Sequence, residues 1–436
     1  MSSEKRRVLV IAYYFPPMGL SGVQRTLKFV KYLSDFGWAS TVITISPRAY
    51  FAFDESMMTE LAGRDVDIIR TNPIDPAKVF KQRKTLKLKS EFIRKIFNRI
   101  SQLFFIPDNK ILWKKKAIES ALKETQVNKY EIIFSTAPPY TDHLVAVELK
   151  KLTGLPLVTD FRDSWLDNPY HFYWTPFHRR AHYSLERKVV KASNLIITIN
   201  RSIKEKLVAR HQDILNLNGV KVFTQGFDSE DFNKYSKPYN PDHEKMSWVY
   251  TGIFYENNTP APLYKALALL KQTNPEIYKN IIFHMVGYVQ NDFQNQTKAL
   301  QVSEIFEYHD YVEHPAVIEW LSQADALWLS LGIGKNYETI STGKIFEYIG
   351  AQKPVLAIIP NNDASKILRQ MASAKIVDPG MVEEIKNSIV EMYKTWKSRE
   401  SVPKNDAKLV EQYERRIIAS QLAKEFNMIA NLVEQE

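Results

Sequence analysis

Glu338-Thr339-Ile340-Ser341-Thr342-Gly343-Lys344-Ile345-Phe346-Glu347-Tyr348-Ile349-Gly350, continued by Ala351-Gln352-Lys353-Pro354 and Val355-Leu356-Ala357-Ile358-Ile359, is the stretch that decides the fold. It reads as loop, short helix, turn and strand. Ser341, Thr342 and Gly343 are small, and Ser or Thr can cap a helix start. Ile345, Phe346 and Ile349 recur at helical spacing and can face a core. Gly350 is placed to end the helix, and Pro354 to block its continuation. The apolar run from Val355 to Ile359 suits a buried parallel strand.

On such a helix Lys344 and Glu347 fall one turn apart on one face. Free backbone N–H groups at a helix start favour an anion, and a lysine in the first turn adds positive charge for a phosphate. A carboxylate one turn deeper can accept hydrogen bonds from two neighbouring sugar hydroxyls. Phosphate and ribose at that separation suggest a nucleotide. The alternative on spacing alone is an (i, i+3) surface ion pair on a capped helix.

The rest of the second half repeats this grammar. Trp248-Val249-Tyr250-Thr251-Gly252 is strand then glycine, and Ile281-Ile282-Phe283-His284-Met285-Val286-Gly287 is strand then glycine again. A helix is expected from Ala261 to Leu270 and another from Val317 to Gln323, with strands at Ile305–Val312 and Ala324–Leu331. A long last helix is expected from about Ala407 to Leu432.

The first half starts the same way. Met1 to Arg7 is charged and Val8-Leu9-Val10-Ile11-Ala12 apolar, but Pro16 and Pro17 cut the run short and no small-residue cleavage site follows. A first strand is the better reading than a signal peptide. The loop Tyr13–Gly22 leads into a helix carrying Leu27, Phe29, Val30 and Leu33, and Ala39–Ile45 is a second strand. This βαβ unit puts a glycine-bearing loop where doubly wound sheets bind ligands. The loop lacks GxGxxG, so a standard dinucleotide site is not expected. Gly19 and Gly22 suit close approach of backbone to a ligand, or merely shape a turn. Residues 48–80 read as irregular.

Further strands are read at Tyr130–Phe134, Leu155–Thr159 and Asn194–Ile199, with a helix from about Trp174 to Lys191. The loop after the first of these carries His143, and the loop after the second carries Asp160-Phe161-Arg162-Asp163. This charged triplet just past a buried strand is either functional or a salt-bridged loop staple.

Composition bounds the rest. A chain of 436 residues, 44% of them hydrophobic, can bury two α/β cores. Without cysteine it forms no disulfide and no thiolate metal site. No run is long enough to cross a bilayer. The net charge is +10, and it is local: twelve Lys and Arg lie between Lys81 and Lys116, opposed only by Glu91 and Asp108. In that segment Phe92, Ile93, Ile96, Phe97, Ile100, Leu103 and Phe104 form one helical stripe, with Arg94, Lys95 and Arg99 facing elsewhere. Such a helix can lie on an anionic membrane surface, or pack on its own domain with a solvated basic face. No nucleic-acid module accompanies the basic residues, which argues against nucleic acid.

Taken together the motifs resemble the GT-B glycosyltransferases of family 4. The resemblance is carried by Phe15-Pro16-Pro17, Ser21-Gly22-Val23-Gln24-Arg25, Asp160-Phe161-Arg162-Asp163 and Asn200-Arg201-Ser202-Ile203-Lys204-Glu205-Lys206-Leu207. It continues through Gln225-Gly226-Phe227-Asp228, Tyr250-Thr251-Gly252, Ala324-Asp325-Ala326-Leu327 and Lys344-Ile345-Phe346-Glu347-Tyr348. It covers essentially the whole chain, in order and spacing.

The resemblance implies an α/β GT-B fold, two Rossmann-like domains facing each other across a cleft. Residues 1–228 would form the acceptor-side domain, 229–245 the linker and 246–406 the donor domain. Residues 407–436 would form a C-terminal helix crossing back to the first domain. The implied activity is transfer of a sugar from a nucleotide-sugar donor to a glycan or lipid-linked acceptor, retaining and metal-independent, in surface polysaccharide or glycolipid biosynthesis. No cofactor is implied beyond the nucleotide-sugar co-substrate. Carried over, Glu347 matches the glutamate that holds the donor ribose. Lys344 and the Thr342–Gly343 amides fall where the diphosphate lies, and Gly22 matches the loop that closes on the donor phosphate. Gly19, Ser21, Gly252, Gly287 and Glu338 complete the expected donor set. His143, Asp160, Arg162 and Asp163 are the catalytic and acceptor-side candidates.

Two departures stand out. The family often has two glutamates eight positions apart, whereas here the earlier position is Thr339, with Glu338 one residue off. The basic residue usual soon after the Gly252 strand is not evident in Ile253-Phe254-Tyr255-Glu256, which leaves the charge to Lys344. The expected location is the cytoplasm, peripheral on the inner face of the membrane through residues 81–116. The rival readings are a nucleotide-sugar epimerase of the same fold and a non-catalytic GT-B-like binding protein.

Overall fold

The apolar runs pair into two all-parallel sheets. The computed structural model describes residues 5–19, 21–47, 53–71, 99–239, 244–254, 258–334 and 336–433. Contacts divide the chain into two units, Met1–Gln225 with Arg415–Glu436, and Gly226–Glu414.

The first unit holds seven strands among the described residues: β1 (Arg6–Ile11), β2 (Trp38–Ile45), β3 (Val66–Thr71), β4 (Ile132–Ala137), β5 (Leu157–Phe161), β6 (Leu195–Thr198) and β7 (Val220–Val222). Their order is β3-β2-β1-β4-β5-β6-β7. Alternation along β1 supplies both faces: Leu9 and Ile11 join one apolar cluster, Val8 and Val10 the other. The second cluster is completed by Ile418, Leu422 and Phe426 of the helix Arg415–Val433. There the Trp38 indole N–H donates to Asn427 Oδ1 at 3.0 Å.

The second unit holds six described strands: β8 (Met246–Thr251), β9 (Ile281–Val286), β10 (Phe306–His309), β11 (Ala326–Ser330), β12 (Val355–Ile358) and β13 (Ala374–Val377). The order is β10-β9-β8-β11-β12-β13. Ala326 and Trp328 of β11 face one cluster, Leu327 and Leu329 the other. Strand order reverses at β1/β4 in the first unit and at β8/β11 in the second, and loops beyond the carboxyl ends of such strand pairs form ligand crevices.

Four local expectations are corrected. Residues 48–80 contain a strand, β3, whose Asp67 and Arg70 hide the apolar pattern because it is a half-exposed edge strand. β5 runs on through Asp160 and Phe161 rather than ending at Thr159. Gly350 does not end its helix, which spans Lys344–Ala351 and is capped by Gln352 at φ 52°. A Cβ on Gly350 would stand 2.7 Å from the rings of Phe227 and Phe232, so close packing is what requires glycine there. The last helix is broken into Ala407–Glu411 and Arg415–Val433. At the break Phe227 N donates to Tyr413 O at 3.0 Å, which turns the backbone out of the helical ladder.

Within the polar stretch 229–245, Ser229–Tyr235 is helical, its start capped by Asp228. Of the basic segment, residues 81–98 lie outside the described residues, including Phe92, Ile93, Arg94, Lys95, Ile96 and Phe97. Residues 99–104 are helical.

Candidate functional site

The helix Lys344–Ala351 reaches the β8/β11 reversal point through Tyr348. Its hydroxyl accepts from Thr251 N at the end of β8, at 3.3 Å, and donates to Trp328 O of β11, at 3.1 Å. One phenol thus pins the helix over the two strands where the sheet reverses.

Lys344, in the first turn of that helix, points to the end of β8. Its ammonium donates to the Tyr250 hydroxyl at 2.8 Å and lies 4.6 Å from the Tyr250 ring centroid. Burial lowers its pKa to about 8, against which the Glu347 carboxylate pulls upward. The stem crosses Gly252 so closely that a Cβ there would stand 2.5 Å from Lys344 Cε. Gly252 has φ +115° and Gly287 φ +122°, and a Cβ on Gly287 would meet Gly252 O at 2.4 Å. The two glycines let the ends of β8 and β9 close up beneath the lysine. Gly252 N donates to Val286 O at 2.7 Å, and Gly287 N to His309 O at 3.0 Å.

Glu347 turns elsewhere. Its Oε1 lies 3.1 Å from His314 Nε2, at the start of the helix His314–Gln323. Asp231 stands 3.8 Å from the other ring nitrogen of His314. The lysine and glutamate are therefore not a simple exposed ion pair, because each is oriented by a different buried neighbour. At the helix start Gly343 is the cap residue with no side-chain cap bond, and Lys344 N reaches Thr342 Oγ1 only at 3.4 Å. Glu338 lies in the short 3-10 turn Tyr337–Thr339, whose second neighbour Thr339 is buried.

In the first unit the triplet at the end of β5 is mostly turned inward. Asp160 is fully buried, and both its oxygens accept from Arg25, each at 2.9 Å. Thr136 Oγ1 adds a third bond at 2.9 Å. Arg25 also donates to Phe223 O at 2.9 Å and Thr224 O at 2.6 Å, so this pair is a staple across four segments. Arg162 donates to Gly22 O, Pro138 O and Ala137 O, tying the loops after β1 and β4. A Cβ on Gly22 would stand 2.3 Å from Arg162 Nη1, so the close approach this glycine permits is to that guanidinium. Gly19 is buried, and Ser21 opens the helix Ser21–Leu33.

His143 lies in the first turn of the helix Thr141–Thr153 and is fully buried. Its Nδ1 is 2.8 Å from Ser135 Oγ, while Nε2 is enclosed without a partner. Burial, reinforced by Arg162, drops its pKa to about 3, so the ring is neutral. Asp142 beside it accepts from Tyr13 N at 2.9 Å, and its other oxygen is enclosed without a partner. Burial pushes this carboxyl well above the ordinary range, with the bond from Tyr13 N opposing. Asp163 is only half-buried, and its carboxyl is raised by desolvation, with Arg162 opposing. Asp160 and Arg162 are thus internal ties, and Asp163 is the less buried acid of the triplet.

Sequence reading did not single out Tyr250, Tyr348, His314, Arg25 or Asp142. The first two and Arg25 stand inside the motifs that were quoted, but a tyrosine or arginine at such positions signals no role until its partner is placed. His314 and Asp142 carry no sequence signal beyond standing near a helix start.

Compared by sequence, the chain matches no family model and no curated relative. Compared by structure, it is similar over nearly its whole length to several solved proteins. One is HepE of Anabaena in complex with UDP-glucose, with TM-score 0.66 and 13% identity, covering 97% of this chain and 99% of that one. A second is sucrose-phosphate synthase of Thermosynechococcus elongatus, with TM-score 0.67 and 12% identity over 97% and 99% of the two chains. A third is WaaG, a glycosyltransferase involved in lipopolysaccharide biosynthesis, with TM-score 0.59 and 12% identity over 96% and 99%. At these identities the likeness speaks for architecture, and the architecture of this chain is the GT-B fold, an α/β arrangement of two Rossmann-like units.

Proposed function

We propose that the chain is a glycosyltransferase of the family 4 type, moving a sugar from a UDP-sugar to a glycan or lipid-linked acceptor in surface polysaccharide or glycolipid synthesis. The observation that carries this reading is the placement of Lys344 across Gly252 at the β8/β11 reversal point. A crevice there, with a cation at a helix start, suits a diphosphate. The neighbours add support, since HepE was solved with UDP-glucose and WaaG is named for lipopolysaccharide biosynthesis.

In this reading Lys344 and the Thr342–Gly343 amides hold the diphosphate, and Glu347, aimed by His314, holds the ribose. As the glycosidic bond breaks, the departing diphosphate gains negative charge. Fixed charge and aimed N–H groups stabilise that state more than the ground state. With Lys344 and the helix-start amides supplying that charge, the reading is of a metal-independent transfer, and by resemblance to the family a retaining one. On the first unit Asp163 contacts the acceptor, while Asp160, Arg162 and His143 hold the loops that present it.

The acceptor end of the reading rests on a second observation. Ile100, Phe104, Phe172, Trp174 and Phe177 are exposed at 45, 73, 42, 43 and 70%. They belong to one surface, because Trp174 Nε1 donates to Arg99 O at 2.8 Å and the Arg99 guanidinium lies 5.0 Å from the Phe172 ring. Arg179 and Arg180, exposed in the adjoining helix, add charge. Exposed aromatics beside arginines suit the interface of an anionic bilayer, where a lipid-linked acceptor would be met. Among the described residues, no helix is long and apolar enough to cross a membrane.

The test is a panel of nucleotide sugars scored by thermal shift and by release of free nucleotide. UDP-sugars should stabilise the wild type and not Lys344→Ala, and UDP should appear only when acceptor or water takes the sugar. An isomerised UDP-sugar would replace transfer by epimerisation. No ligand effect in either protein would leave a binding domain without chemistry.

A further inference from the structure

Strands β9 and β10 bring three metal-binding side chains to one point outside the site described above. Glu307 pairs directly with His284 across the parallel ladder, and His309 lies two residues further along β10. Positions i and i+2 share a sheet face, so all three side chains stand on the same side. His284 Nδ1 is 3.3 Å from His309 Nε2 and 3.2 Å from Glu307 Oε2, and the last side of the triangle is 3.9 Å. A tetrahedral zinc ion with bonds of about 2.0–2.1 Å sets its donor atoms about 3.3 Å apart. Trp320, from the helix His314–Gln323, walls the cluster, with its ring centroid 5.0 Å from His284 and 4.5 Å from His309. The histidine side chains are 15 and 29% exposed and the Glu307 side chain 53%, so the cluster opens to solvent on the glutamate side.

We infer that His284, Glu307 and His309 form a binding site for a borderline divalent transition ion such as zinc. The donors would be His284 Nδ1, His309 Nε2 and Glu307 Oε2, with water on the open side. Two imidazole nitrogens select this class over Mg²⁺ and Ca²⁺, which take oxygen ligands. The site braces the edge strand β10 against β9 and, through Trp320, the helix whose first residue orients Glu347. It takes no part in sugar transfer, and it stands or falls independently of that proposal.

The experiment uses untagged, chelator-treated full-length protein. One equivalent of Zn²⁺ should raise Tm, and Mg²⁺ should not. Co²⁺ should give visible d–d bands of tetrahedral intensity. His309→Ala should weaken Zn²⁺ binding by more than about 100-fold, beyond the 10–100-fold expected for an outer-shell partner. Glu307→Gln, at a half-exposed position that leaves the fold intact, should weaken binding and alter the Co²⁺ spectrum. Absence of stoichiometric binding, or wild-type Zn²⁺ affinity in Glu307→Gln, overturns the site. Should His309→Ala not fold, Glu307→Gln decides alone.

Discussion

The Lys344 ammonium and the Tyr250 hydroxyl lie 2.8 Å apart, with the charge also over the ring of the same tyrosine at 4.6 Å. Tyr250 therefore offers the lysine a single neutral acceptor and an electron-rich face rather than a carboxylate. A cation held this way keeps its charge available for an anion.

Replacing Lys344 with methionine, which keeps the length of the stem, should cost UDP binding about 1.5–3 kcal/mol, the worth of hydrogen bonds to a charged group. That is about a 10- to 150-fold loss by calorimetry. Folding stability should not fall, because the change removes a buried charge that lacks a close ionic partner. Unchanged UDP affinity would remove Lys344 from the donor site.

The same lysine predicts a pH dependence. With a folded pKa of about 8, it is charged below that pH and neutral above it. UDP affinity should fall as pH rises through 8, and Lys344→Met should flatten that limb. Folding responds with the opposite sign. From about pH 8 up to the ordinary lysine value of about 10.4, the unfolded chain holds a proton the folded chain has shed, so this group makes stability rise with pH.

Gly252 and Gly287 should respond unequally to alanine. Both pay for a positive φ, at about 1–3 kcal/mol. At Gly252 the new methyl meets a lysine stem, which can swing aside, so the measured loss falls on UDP binding. At Gly287 it meets the carbonyl of Gly252, which cannot move without parting β8 from β9. Gly287→Ala should therefore show the larger drop in Tm. Equal Tm losses would contradict this packing.

Arg25 and Asp160 make a buried bidentate pair. Asp160→Asn alone should destabilise the protein by about 3–5 kcal/mol, by stranding the guanidinium. Replacing both, Arg25→Met with Asp160→Leu, should cost clearly less than the two single changes added. Additive losses in urea unfolding would mean that the two act separately.

These cases also mark what the sequence made legible. The helix at Lys344, the strand–glycine endings at Gly252 and Gly287, and the parallel α/β class could be read because each rests on local periodicity or a local breaker. The roles of Asp160 and Arg162 could not. Their partners Arg25 and Gly22 lie well over a hundred residues away, and a run such as Asp160-Phe161-Arg162-Asp163 looks the same whether it faces water or a guanidinium. β3 was hidden by its charged residues, and the break at Gln412–Glu414 by a pairing with Phe227 that no local pattern announces.

The helix Arg415–Val433 seats Ile418, Leu422 and Phe426 against a sheet begun by β1. During synthesis the residues from Gly226 to Glu414 are therefore all made before that sheet's second face can be sealed. The unit started first is finished last, and the part of its apolar side that the helix Ser21–Leu33 does not cover stays open for as long as the ribosome takes to translate the other. A nascent chain halted before Arg415 should carry one completed unit and one that chaperones still recognise.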